Sequence, residues 1–188
     1  MNGQILVWGN EGIFALEIDL ELGEISTDKL SEAPTLGMTS VGQRVFILSN
    51  GEVDVWDKDR HRENLFKAPD ARFLTATRTH LLVGSDSNVK IYKTSGLERP
   101  KLIGEHEIEG LSRIVASKLI GQDHHFILKG LSRSELIDVS NPKRVVILSE
   151  YHDLPELGYL ERHRDLLIET DKSSMFLRLY SIGATAFV

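Results

Sequence analysis

"ELIDVSNPKRVVILSEY", residues 135–151, holds two apolar runs separated by a polar break. Leu136 and Ile137 lead into Asp138, Ser140-Asn141-Pro142 turns the chain, and Val145, Val146, Ile147 and Leu148 lead out. Ser and Asn favour turns by hydrogen-bonding nearby backbone, and Pro fixes φ and cannot donate to a strand ladder. Whether this is a lone hairpin or one copy of a repeated unit decides the fold.

The rest of the chain supplies the copies. Five stretches share one pattern: "ILVWGNEGIFALEID" (5–19), "VFILSNGEVDVWD" (45–57), "LLVGSDSNVKIYK" (81–93), "FILKGLSRSELID" (126–138) and "LLIETDKSSMFLRLYS" (166–181). Each is an apolar run, a small polar turn and a second, alternating run. Asn50-Gly51 is a strong two-residue hairpin signal, because both positions of that turn favour positive φ. The last apolar residue of each unit is Ile18, Trp56, Tyr92, Ile137 or Tyr180, and subtraction of those positions gives spacings of 38, 36, 45 and 43. A period near 40 with about four strands per unit is the mark of propeller blades. No sustained helical periodicity is present.

Further segments complete the units. Inner segments precede the last four hairpins at 36–41, 72–77, 113–117 and 156–161, and carry the small residues Gly37, Ala76, Ala116 and Gly158, as crowding around a central axis requires. Outer segments follow at 23–27, 63–68, 100–108, 144–151 and 184–188. The expectation is an all-β, β-propeller-like domain over 1–188. It has about five four-stranded blades, in units of roughly 3–33, 34–69, 70–110, 111–153 and 154–188. A β-sandwich, which also has short strands and frequent turns, is the rival.

The first unit begins directly at "QILVW" and lacks an inner strand. Its open edge is closed by the C-terminal "ATAFV", or by a second copy or another subunit through strand exchange, or the chain is part of something longer. Trp8, Trp56, Tyr92 and Tyr180 are expected to pack between blades rather than to contact a ligand.

"NVKIYKTSGLERPKLIGEHEIEG" (88–110) and "ELIDVSNPKRVVILSEYHD" (135–153) resemble the LVIVD-type repeat of β-propeller proteins, in which a strand ending in Ile-Asp meets a Ser-Asn-Pro turn. "NGEVDVWD" (50–57) and "SDSNVKIYK" (85–93) are similar to the third strand of WD40 repeats. The first two units carry "IDLELGE" and "WDKDRHREN" where Ser-Asn-Pro would stand, and no unit has the Gly-His dipeptide of WD40 repeats. Both resemblances imply a propeller.

Composition narrows the function classes. The 188 residues are 41% apolar and 27% charged, as in a soluble globular chain, and no apolar run approaches a membrane span. The net charge of -6, with scattered basic residues, argues against nucleic acid. Cysteine is absent, which excludes disulfides and thiolate chemistry. With no signal peptide and no glycosylation sequon in view, a cytoplasmic location is expected.

Chemistry-bearing constellations are sparse. His124 and His125 are adjacent, so on one strand they would point to opposite faces and share an ion poorly. His61, His106 and His152 fall in or near outer strands and turns, and His80 and His163 in turns, so all are read as surface residues and no metal is expected. Of carboxylates on inner segments, only Glu156 and Glu161 qualify as a pair, and both belong to one blade. Asp138 is read as a turn-capping residue. No nucleophile elbow and no phosphate loop occur. Arg72 and Arg113 open the inner strands of units three and four, where two guanidinium groups would receive an acidic peptide or a partner's carboxylates. The plainer alternative pairs each with a local acid such as Asp70 or Glu109. The expected function is therefore a non-catalytic protein-interaction module without cofactor. A hydrolase or carbohydrate-binding propeller using the central channel is the alternative.

Overall fold

The computed structural model describes residues 5–19, 24–57, 61–94, 99–116, 123–141, 144–152, 159–163, 166–170 and 177–181, with the backbone alone for 5, 17–19, 24–25, 113, 115–116, 151–152 and all beyond. They form five antiparallel sheets in chain order, each lying within one of the five units read from the sequence. The first holds β1 (Ile5–Gly9), β2 (Gly12–Asp19) and β3 (Glu24–Ser31). The second holds β4 (Thr35–Val41), β5 (Arg44–Ser49), β6 (Glu52–Trp56) and β7 (Arg62–Lys67). In the third are β8 (Phe73–Ala76), β9 (His80–Gly84), β10 (Asn88–Lys93) and β11 (Lys101–Glu107). The fourth contains β12 (Arg113–Ala116), β13 (His125–Lys129), β14 (Arg133–Asp138) and β15 (Val146–His152). Strands β16 (Tyr159–His163), β17 (Leu166–Thr170) and β18 (Leu177–Ser181) make the fifth.

Strand alternation explains why these sheets stack. Along β5, Val45 and Ile47 face one way and join Ile13 and Trp56 in a core between the first and second sheets. Phe46 and Leu48 face the other way and meet Leu74, Leu81, Val83 and Tyr92 of the third sheet. Leu82, between Leu81 and Val83, points onward to Ile114, Phe126, Leu128 and Ile137 of the fourth. A strand buried on both faces is apolar at successive positions, which is why "VFIL" (45–48) and "LLV" (81–83) read as unbroken runs. Each fully buried Leu, Ile or Val contributes about 1.5–3 kcal/mol. Phe66 of β7 stacks on Tyr92 of β10 with ring centroids 4.4 Å apart, so Trp56 and Tyr92 fill the layers between blades as expected. The side chain of Tyr180 lies outside the described set, and Gly158 and 184–188 lie outside the described residues.

Inner strands touch across sheets: β4 meets β8, and β8 meets β12. Gly37 is small because Leu74 stands against it; a Cβ there would lie 2.9 Å from Leu74 Cβ. The turn at Asn50-Gly51 has φ of 52° and 71°, as its sequence requires. The bond between the third and fourth strands carries a register shift in the second, third and fourth sheets, at Val53/Asp54, Ile91/Tyr92 and Leu136/Ile137, and each bulge adds twist.

Strand β1 touches β4 as β5 touches β8 and β9 touches β12. It therefore stands in the second place of its blade, and among the described residues the first sheet has no inner strand. Trp8 departs from expectation. At 40% exposed it lies on this open edge instead of between blades.

Candidate functional site

Topology sorts the connections onto two faces. Turns between first and second strands and between third and fourth strands share one face; the remaining connections share the other. Arg72 and Arg113 belong to the second group. Arg72 sits one residue before β8, and its Nε lies 3.0 Å from Oδ1 of Asp86 in the β9–β10 turn, both side chains being mostly exposed. The local pairing is thus present, with Asp86 in place of Asp70. Arg113 opens β12, opposite Lys129 of β13; its side chain is outside the described set.

On the opposite face the structure assembles a group that sequence reasoning kept apart. His125 starts β13 and lies directly across the ladder from Asp138, the last residue of β14, so the two share a face. His124 precedes the strand in a turn and is released from strand alternation. Its Nε2 comes 3.7 Å from Asp138 Oδ1, while Nε2 of His125 lies 3.7 Å from Asp138 Oδ2. The imidazoles meet edge-to-face with centroids 4.6 Å apart. The expectation that the two rings diverge fails because only one of them belongs to the strand.

The third sheet holds this turn in place. Thr77 Oγ1 donates to the Asp123 carbonyl at 2.5 Å and Thr79 Oγ1 to the same oxygen at 3.1 Å. His80 is buried at the start of β9, with Nδ1 2.8 Å from Thr79 Oγ1, so the surface-turn reading of this histidine is corrected. Burial pushes the His80 pKa down, against the raising effect of the Asp123 carbonyl, and His124 and Lys93 push it further down. Burial likewise lowers His125, helped by His124 and opposed by Asp138. Burial would raise Asp138, but the Ser140 N–H, which donates to Oδ1 at 2.7 Å, and the two histidines hold it below the usual carboxylate value. Asp138 caps the Ser140-Asn141 turn, as its sequence suggests. Pro142 lies outside the described residues.

Two other acids are buried and paired. Asp54 receives Arg62 Nε at 3.0 Å and Nη2 at 2.6 Å on one oxygen, and Asn64 Nδ2 at 3.0 Å on the other. Glu135 takes the corresponding place in β14. Its Oε2 meets His106 Nε2 of the third sheet, and Arg133 Nε lies 2.7 Å from Oε1 without hydrogen-bond alignment. His106 is therefore largely buried rather than a surface residue. His61 is exposed, next to Asp57, as expected. The side chains of His152, His163 and Glu161 are outside the described set, as is Glu156 altogether.

The outer strands differ in character. Exposed positions of β7 carry Arg62, Glu63, Asn64 and Lys67, whereas β15 exposes Val146, Ile147 and Leu148 in succession at 41%, 39% and 44%.

No protein-family model matches the sequence, and no curated protein does. Solved structures do match. A chain of the nidogen/laminin complex aligns over 94% of this chain and 74% of its own, at 13% identity and a TM-score of 0.61. The N-terminal domain of Nup159 aligns over 94% of this chain and 59% of its own, at 11% identity and 0.55. The Cps50 (Swd1) β-propeller domain of Myceliophteria thermophila aligns over 99% of this chain and 87% of its own, at 10% identity and 0.55. The fold is propeller-like. Likeness at such low identity speaks to architecture alone.

Proposed function

We propose that this chain is a non-catalytic protein-interaction module that receives an extended segment of a partner on the outer edge of β15. The observation that carries the reading is the exposed apolar run of Val146, Ile147 and Leu148 on a strand whose outer edge is unpaired among the described residues. An edge strand offers free backbone donors and acceptors, and apolar side chains there normally invite aggregation unless a partner covers them. Three consecutive exposed apolar residues are otherwise a fault in a surface strand.

Two similar structures support the reading by analogy, since one is a nidogen/laminin complex and another has Dbp5 bound to Nup159. The Arg72–Arg113 rim is kept as a second, charged contact for acidic side chains of the partner. A cytoplasmic setting belongs to the same proposal.

The test is quantitative affinity capture with three baits: the unaltered chain, Ile147→Asp, and Arg72→Glu with Arg113→Glu. Loss of the same captured protein with Ile147→Asp, at unchanged melting temperature, supports the edge. Capture unaffected by Ile147→Asp refutes it, and loss with the arginine reversals alone moves the contact to the arginine rim.

A further inference from the structure

The geometry points to a binding site for a divalent transition-metal ion, with zinc the best-matched, formed by His124, His125 and Asp138. We propose it from four observations that do not depend on the partner surface.

The first is spacing. The three side chains offer ligand atoms that all lie within 4.8 Å of one another, and each imidazole stands 3.7 Å from a different oxygen of Asp138. Tetrahedral zinc with bonds of 2.0–2.1 Å needs ligand atoms about 3.3 Å apart. Small side-chain rotations close the difference.

The second is an unsatisfied imidazole. The His125 side chain is only 8% exposed, its Nδ1 is enclosed without a hydrogen-bond partner, and its Nε2 is beyond hydrogen-bonding reach of the carboxylate it faces. A cation between Nε2 and Asp138 gives Nε2 a partner, and the ring proton then resides on the enclosed Nδ1.

The third is the support around the ligands. The Ser140 N–H fixes Asp138 Oδ1, and the threonine clasp on the Asp123 carbonyl fixes the backbone before His124. Partners of this kind, one shell out from the ligands, orient them and raise affinity.

The fourth is ligand chemistry and access. Two imidazoles and one carboxylate suit zinc, nickel or copper, whereas calcium and magnesium take oxygen ligands. His124 and Asp138 are 29% and 22% exposed, so an ion can enter and water can complete its coordination.

The experiment uses the full chain, free of any histidine tag and stripped with a chelator. Zinc chloride is titrated calorimetrically, and cobalt(II) is followed by its visible absorption. Roughly one equivalent of zinc should bind, with a cobalt spectrum typical of nitrogen and oxygen ligands and a higher melting temperature in zinc. His124→Gln and Asp138→Asn should each weaken binding about tenfold or more. Asn at 138 keeps an acceptor for the Ser140 N–H, so the turn survives. His61→Gln, at the exposed His61–Asp57 pair, should leave binding unchanged. Absence of zinc binding at about 100 μM ion overturns the proposal, as does binding that both ligand variants retain in full. Should a variant unfold, histidine ring NMR of the unaltered chain decides. Zinc must shift the resonances of His124 and His125, and shifts confined to other histidines overturn the site.

Discussion

Nε2 of His106, on the outer strand of the third sheet, lies 2.5 Å from Oε2 of Glu135, a wholly buried carboxylate on the third strand of the fourth sheet. The carboxylate can only accept, so the ring N–H donates. This polar contact joins two blades that also meet through apolar packing and through the threonine contacts to the Asp123 carbonyl. Arg133 Nε stays 2.7 Å from Oε1, so removing His106 leaves Oε2 without its donor but the carboxylate still beside a cation, a loss of roughly 1–3 kcal/mol.

His106→Ala is therefore expected to destabilise the protein by roughly 1–3 kcal/mol in urea unfolding. Replacing both partners, as His106→Leu with Glu135→Leu, should cost less than His106→Leu alone, since no buried charge remains. A double variant less stable than the single one would contradict a charge-pairing role for His106.

Acid should weaken the fold through His80. Its folded pKa is lowered from 6.5 chiefly by burial, so the unfolded chain binds a proton first as pH falls. Stability is then full above about pH 6.5 and declines below it, towards the lower folded value. His125 shares this sign. Asp138 acts in a separate, more acidic window: its depressed pKa adds stability above about 3.8, which is lost as pH falls through the folded value. The urea midpoint should drop between about pH 7.5 and 5.5, and His80→Gln should shrink that drop. An equal or larger drop in the variant would remove His80 from the explanation.

Inner-strand crowding makes Gly37 sensitive. A methyl group there meets Leu74 of the next blade at 2.9 Å from its Cβ and 3.2 Å from its backbone nitrogen, whereas one at Gly9 meets nothing within 4 Å. Gly37→Ala should cost roughly 1–3 kcal/mol by overpacking, and Gly9→Ala within about 0.5 kcal/mol. Thermal melts of the two variants compare them directly. Equal tolerance would mean that β4 and β8 do not press together at this point.

What the sequence revealed was local or repeated. Asn50-Gly51 announces its turn because both residues tolerate positive φ, and Trp56 and Tyr92 announce the layers between blades because the repeat aligns them. Gly37 and Ala76 mark the inner strands for the same reason. What it hid depends on the third dimension or on one residue's departure from a pattern. His124 leaves strand alternation by a single position, and that lets it converge with His125 on Asp138 across the β13–β14 ladder. The His106–Glu135 contact spans two repeats, so no spacing within one unit displays it. Trp8 resembles a packing residue by composition, yet lies exposed on β1, which among the described residues is an edge strand of the first sheet.

The claim that β15 is the contact surface is tested most directly by placing a photoreactive amino acid at Ile147 and, separately, at Glu63 on β7, and mapping crosslinks in cells. Both positions lie on outer strands, one apolar and one charged. The account predicts that Ile147 yields crosslinks concentrated on one extended segment of a single protein, while Glu63 yields none to that protein. Crosslinks from Glu63 to the same protein, or none from Ile147 above background, would contradict it.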